Sequence, residues 1–395
     1  MADFKETLRN KLLQDLEKLK TPDGYLNAGY PNYYILFGRD ALISAWQMLE
    51  INPEIAKSSL KVLAKYQGKT IHRKAEEEPG KILHEYPLEP EQQAILSDWD
   101  FPYFGTVDAT PLFVIVADKY LQKTGDMSFL SQIWKNVVAA ADWMSTYGDI
   151  DKDYFVEYER KIPKGLFHQA WRDSYENHLK ISSPVAIVEV QGYVYAAYLA
   201  AVRMAKVLGK EVNPEWEERA KALQERFHQS FWWEEEQYYA LALDGDKKQR
   251  KSVSSNPGHL LFTGILPTQV LPRIVKRLFQ SDLFTPYGIQ TVSKHDPDFD
   301  PQSYHLGSVW PHDNWIIYYG LKQLGFLREA DQIKQALLLV HQELGRIPEL
   351  FGVKDGKIIR LSVGAWQHGV PGNVIHANPI QAWAICGLLQ MIWED

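Results

Sequence analysis

Val107 to Tyr147 reads VDATPLFVIVADKYLQKTGDMSFLSQIWKNVVAAADWMSTY. Two helix-length apolar segments, Val107 to Thr124 and Met127 to Tyr147, meet at Gly125-Asp126, so this is a helical pair. Upstream, Asp3 to Lys20 is amphipathic, with Phe4, Leu8, Leu12, Leu16 and Leu19 on one face, and Thr21-Pro22-Asp23-Gly24 ends it. Ala41 to Glu50 and a segment from Asn52-Pro53 to about Gln67 make another pair. Downstream the pairs are Ala186 to Leu208 with Pro214 to Phe231, Asn256 to Leu266 with Thr268 to Gln280, and Ser308 to Leu324 with Leu327 to Leu344. Asn378 to Trp393 closes the chain.

About twelve helices therefore alternate with connections, and β-like stretches such as Tyr238 to Leu243 are confined to the latter. That pattern argues against a βαβ sheet. The long segments Gly68–Tyr103, Tyr154–Pro184, Phe284–Gly307 and Arg346–Pro371 all fall between successive pairs. Six antiparallel pairs closing into a ring would gather such loops at one end. The expected fold is all-α, with small β-hairpins confined to the connections.

The chain has 395 residues, 45% hydrophobic and 24% charged, as in ordinary globular proteins. Its net charge of -7 and lack of a basic tract argue against nucleic acid. No apolar run reaches membrane-spanning length, and the first twenty residues fit no secretory signal. A lone cysteine, Cys386, excludes a disulfide framework and suits a reducing, cytoplasmic setting. Oligomeric state is not legible.

Gly165 to Tyr193, GLFHQAWRDSYENHLKISSPVAIVEVQGY, is a polar-aromatic loop feeding a buried helix. Asp173 stands there beside Trp171 and Arg172. Asp149 to Tyr158 (DIDKDYFVEY) spaces Asp149, Asp151 and Asp153 like a calcium loop, but its sixth position is Tyr154 and its twelfth is Arg160. A short β-hairpin turn without metal is expected there. His305, His312 and His368 are too dispersed for a zinc motif, and no phosphate-cradling glycine run exists, so no cofactor is expected. What remains in the loops is carboxyls with aromatic platforms, the equipment of glycoside hydrolysis, and the expected ligand is a small carbohydrate.

Several blocks carry a resemblance. Gly38-Arg39-Asp40, Glu78 to Glu85 (EPGKILHE), Phe104 to Phe113 (FGTVDATPLF) and Trp171-Arg172-Asp173-Ser174 are similar to blocks of the amylo-α-1,6-glucosidase (glycogen debranching) proteins. So are Val188 to Tyr195 (VEVQGYVY), Ser303 to Asn314 (SYHLGSVWPHDN), Ile347-Pro348-Glu349-Leu350 and Gln381 to Ala384 (QAWA). They occur in the family's order. The resemblance implies an (α/α)6 barrel of the six-hairpin glycosidase group and an inverting α-glucosidase. It puts the general acid at Asp173 and the general base at Glu349, about 6.5 to 9.5 Å apart. Many of those relatives carry a β-sandwich before the barrel. Here only residues 1–37 precede Gly38, so one barrel domain over 1–395 is expected. Arg172 stands where those relatives often have Lys or Met, and the expected substrates are short α-glucans or small glucosides.

Beside that resemblance, each residue has a plainer reading. Asp173 could simply pair with Arg172 or cap a helix, and Glu349 could be a solvated loop glutamate after Pro348. Arg39 and Asp40 could cap the helix at Ala41, whereas the resemblance makes them sugar-hydroxyl ligands; Asp108 has the same ambiguity. Glu189 and Gln191 face different sides of their helix, and Gln191 is the expected sugar contact. Trp310 and His312 begin a helix after a polar loop that carries His305, a position where Trp310 suits stacking; Trp99, Trp171, Arg172 and Trp366 complete the candidate site. Rival readings are a trehalase-like or glucosylglycerate-type hydrolase with the same carboxyls, a sugar 2-epimerase with histidine bases, and a non-catalytic sugar-binding protein.

Overall fold

A computed structural model describes residues 2–89, 99–359 and 377–393. Helices dominate it: α1 (Ala2–Glu17), α2 (Gly38–Gln47), α3 (Pro53–Tyr66), α4 (Ala109–Thr124), α5 (Met127–Trp143) and α6 (Val188–Val207). Then follow α7 (Pro214–Phe231), α8 (Leu271–Leu278), α9 (Pro311–Gln323), α10 (Leu327–Leu344) and α11 (Ala382–Trp393). Local chemistry sets their ends. Asn52 and Asn213 each accept the backbone N–H two residues on, with Pro53 and Pro214 at the first helical position. Gly125, at φ +67°, ends α4, and Asp126 caps α5 by accepting from the Phe129 N–H.

Burial sorts the helices into two walls. In α4 the first nine residues are all buried, as expected of a helix enclosed on every side, whereas α7 buries a single stripe of Trp216, Ala220, Leu223, Phe227 and Phe231. The inner wall is α2, α4, α6, the 3-10 segment Asn256–Phe262, α9 and α11, each packed on the next and α11 on α2. Outside them lie α3 against α2, α5 against α4, α7 against α6, α8 against the 3-10 segment, α10 against α9 and α1 against α11. That closed ring is the (α/α)6 barrel.

Short strands mark one end. Leu36–Phe37, Ala186–Ile187 and Ile380–Gln381 lead directly into α2, α6 and α11. Their partners are Glu85–Tyr86, Ala242–Leu243 and Gly29–Tyr30. A Cβ on Gly38 would lie 2.1 Å from the Leu83 carbonyl oxygen, so only glycine lets α2 start against that neighbour.

Some expectations need correction. Helix α2 begins at Gly38, not Ala41, so Asp40 lies inside its first turn and caps nothing. The segment at Asn256 is a 3-10 turn rather than an α-helix. Asp149–Tyr158 is not a hairpin: Asp149 and Asp153 accept the N–H groups of Asp153 and Phe155, folding the loop locally. The Lys247 ammonium reaches among Asp151, Asp153 and Glu157.

Candidate active site

Arg39, in the first turn of α2, is buried, and its Nη1 donates to both Asp108 oxygens at 3.0 and 3.1 Å. Its Nη2 donates to Asp173 Oδ2 at 2.6 Å. Asp108 stands before α4 but makes no cap bond; the Thr106 hydroxyl and Arg39 take its oxygens. The Asp173 side chain keeps 25% of its surface exposed while Asp108 keeps none, so Asp173 is the member of this trio that a ligand can reach. His84 Nε2 lies 3.7 Å from Asp173 Oδ2 and His305 Nε2 4.0 Å from Oδ1. The two imidazoles flank the carboxyl.

Glu349 is 2% exposed and held at both oxygens. The Tyr304 hydroxyl donates to Oε1 at 2.5 Å, and the Asn378 backbone N–H to Oε2 at 2.8 Å. The Tyr304 and His305 rings meet edge to face at 4.7 Å, so two adjacent residues connect the surroundings of Glu349 to those of Asp173. Tyr33, at φ +60°, feels the charge of both carboxyls. Asp40 is buried in the same cluster and accepts from Gln381 Nε2 at 3.1 Å.

Burial controls the titration of these groups. It lifts Asp173 to about 6 against the opposing pull of Arg39. Glu349 rises to about 8, again chiefly by burial; the Asn378 N–H and Tyr304 hydroxyl pull down while Asp40 and Asp173 push up. Asp40 reaches about 7 and Glu85 about 8, both by burial first. His84, His305 and His312 fall well below the usual histidine range by burial, so they are neutral near pH 7. Perturbed carboxyls gathered at one end of a barrel mark a reactive site.

Several candidates lie elsewhere than their sequence suggested. Arg172 does not pair with Asp173: it is 1% exposed, its guanidinium over Trp171, donating to the Thr291 carbonyl and to Ser255 Oγ. Gln191 is fully buried and held by loop backbone. Its carboxamide accepts the Val156 N–H at 2.9 Å and donates to the Val156 and Ile187 carbonyls, bonds that turn it away from a ligand. Trp310 is 2% exposed, stacked on His305 at 5.3 Å, with its N–H on the Tyr304 carbonyl. It supports the site from behind instead of offering a face. His312 is fully buried against Trp383, ring centroids 3.7 Å apart. Trp171 is 2% exposed, and Trp99 stacks on Tyr103 at 4.0 Å. Trp366 lies outside the described residues.

Sequence reasoning did not single out Tyr33, His84, Glu85, Tyr304, Asn378 or Gln381. All but Tyr33 and Asn378 fall inside the quoted blocks. Among the described residues, Asp149, Asp151, Asp153 and Glu157 are the one group able to hold a metal, and Lys247 already supplies the cation at their centre.

The sequence profile of the "mannosylglycerate hydrolase MGH1-like glycoside hydrolase domain" matches residues 33–369, most of the chain and both carboxyl blocks. The chain belongs to this family. It is a glycoside hydrolase of the six-hairpin group, and the specific resemblance to amylo-α-1,6-glucosidases gives way to the MGH1-like family. No curated protein matches in sequence. The MGH1-like barrel is similar to the mannosylglycerate hydrolase of family GH63 from Thermus thermophilus. In complex with Tris it gives TM-score 0.70, and in complex with glucose 0.71, each at 16% identity over 98% of this chain and 100% of that one. It is also similar to a rhamnosidase from Klebsiella oxytoca with rhamnose bound, TM-score 0.63 and 14% identity over 98% of this chain and 63% of that one. Identities this low establish the shared MGH1-like fold and nothing finer. No described helix is long and apolar enough to cross a membrane.

Proposed function

We propose that this single barrel is an inverting hydrolase of small α-glycosides, with Asp173 as general acid and Glu349 as general base. The family points to a hexose on a short glycerate-type aglycone, which fits better than the long glucans of debranching. One observation carries the reading: a part-exposed Asp173 and a doubly hydrogen-bonded Glu349, both raised by burial, joined through Tyr304 and His305. In the step, Glu349 takes a proton from water as its oxygen attacks the anomeric carbon. Asp173 gives its proton to the departing glycosidic oxygen, and the sugar leaves with inverted configuration. Arg39 keeps both bonds to Asp108 throughout, so it can release a protonated Asp173 without being left unpaired.

The second reading is an amylo-1,6-glucosidase-like enzyme on short α-glucans, which the sequence blocks favour. A sugar 2-epimerase fits poorly, since His312 is sealed against Trp383. The deciding experiment is hydrolysis of mannosylglycerate, glucosylglycerate, trehalose, isomaltose and panose, with NMR of the first-formed anomer. Inversion on a glycerate glycoside is expected. Retention would remove Glu349 as base, and turnover of isomaltose or panose alone would favour the second reading. Asp173→Asn and Glu349→Gln should each lower kcat about 10²- to 10⁴-fold with the fold intact.

A further inference from the structure

Asn378 is fully buried on the segment leading into α11, and every polar atom it has is used. Its backbone exchanges two bonds with Glu349: its N–H donates to Oε2 at 2.8 Å, and its carbonyl accepts the Glu349 N–H at 2.9 Å. Its carboxamide faces the turn that carries Tyr30, Tyr33 and Tyr34. There Oδ1 accepts the Asn32 N–H at 3.1 Å and Nδ2 donates to the Asn32 carbonyl at 3.0 Å. The second Nδ2 proton goes to Gln381 Oε1 at 3.0 Å, which turns Gln381 Nε2 toward Asp40. Two donors and one acceptor in that arrangement are what an asparagine supplies and an aspartate cannot.

The neighbourhood is built around that side chain. A Cβ on Gly29 would lie 2.1 Å from Gln381 Oε1 and 2.5 Å from Asn378 Nδ2, so glycine alone leaves room for the two amides. Tyr33 reaches the Tyr304 hydroxyl, which itself holds Glu349. The tyrosine turn therefore meets the base from two directions, through Tyr304 and through Asn378.

We propose that Asn378 is a positioning residue that locks the Glu349 carboxylate and the Tyr30–Tyr34 turn into one register, so that the turn and an aimed base are set together. This rests on Glu349 being the base. A base misaligned by an ångström loses on the order of 10²-fold in rate, so its aim is worth a dedicated side chain.

The test is steady-state kinetics over pH for Asn378→Asp, with Glu349→Gln as control. Asn378→Asp keeps the size, loses both donors and adds negative charge beside Glu349. Its kcat should fall at least about tenfold. The limb of kcat/KM that Glu349 sets should move upward, because a nearby anion disfavours ionised Glu349. A purely structural role would lower Tm while leaving the kcat of the folded enzyme and the limb in place, and that result overturns the proposal. Should Asn378→Asp not fold, Gly29→Ala displaces the same carboxamide without new charge. It should lower kcat with an unmoved limb, and a wild-type kcat there also overturns the proposal. If Glu349→Gln keeps its activity, the base assignment has failed; if it is dead while Asn378→Asp behaves as wild type, only the positioning role has.

Discussion

At the scale of single residues, the unusual feature is the order of the two carboxyls. Burial raises Asp173 to about 6 and Glu349 to about 8, whereas the proposed reaction needs Asp173 protonated and Glu349 ionised. With that order the active species is the minority form in which Asp173 keeps its proton while Glu349 is ionised. Below about 6 both carboxyls hold protons and no base exists; above about 8 both are ionised and no acid exists. A kcat/KM profile should therefore be a bell centred near neutrality, and a flat profile from pH 5 to 9 would contradict the pairing. Tyr304→Phe removes a donor to the ionised base, a bond to a charged group worth about 1.5–3 kcal/mol. Its kcat should fall about 10- to 100-fold and the limb near pH 8, which Glu349 sets, should move up, since the hydroxyl favours the carboxylate. The same burial carries a stability cost. A carboxyl whose folded pKa is raised stabilises fully below its unfolded value of 4.5, and that contribution is lost as pH rises through about 8. Glu349→Gln should thus raise Tm at pH 8 to 9 while abolishing turnover, and a lower Tm there would argue against the buried ionised base.

At the scale of elements, the helical pairs were legible because helix-length apolar stretches such as those in α4, α6 and α11 recur and the turns within the pairs carry Gly, Asn or Pro. What those helices point at the site was less legible. Arg39 and Asp173 are separated by 134 residues, and no local pattern announces that they pair. Arg172, adjacent to Asp173, looked like the natural partner, yet it is buried with Trp171 and held by the Thr291 carbonyl and Ser255. Gln191 misled in the same way. A polar residue on a buried helix suggests a ligand, but its partner is loop backbone around Val156, thirty-five residues earlier. Replacing it by Leu strands the buried Val156 N–H and carbonyl at about 1–3 kcal/mol each. The expected result is a lower Tm with unchanged KM in the folded enzyme; a KM effect without loss of stability would restore the sugar-contact reading. Tyr33 and Asn378 were illegible for a related reason: their importance comes from the pairing of Gly29–Tyr30 with Ile380–Gln381 across the seam of the ring.

At the scale of the molecule, that seam decides how activity and stability are linked. One hydrophobic core runs from Leu8 in α1 to Ile392 in α11, with a satellite of Trp99, Tyr103 and Leu166 near the site. Asp173, the proposed acid, lies on the connection between α5 and α6, Glu349, the proposed base, on that between α10 and α11, and Arg39 on α2. Closing the ring through α1, α11 and α2 is what brings Glu349 toward Asp173. Helix α1 covers α11 with Leu8, Leu12 and Leu16, and Arg9 donates to the Ile392 carbonyl at 2.7 Å while lying over Trp393. Leu12 is 2% exposed, so Leu12→Ala should cost about 2–5 kcal/mol. If the barrel folds as one cooperative unit, as the continuous core implies, hydrolysis and helical circular dichroism should be lost at the same denaturant concentration, both earlier than in the parent. Activity vanishing well before the helical signal would mean that the seam opens on its own. The base would then sit on a locally unstable unit, and the single-unit barrel would have to be given up.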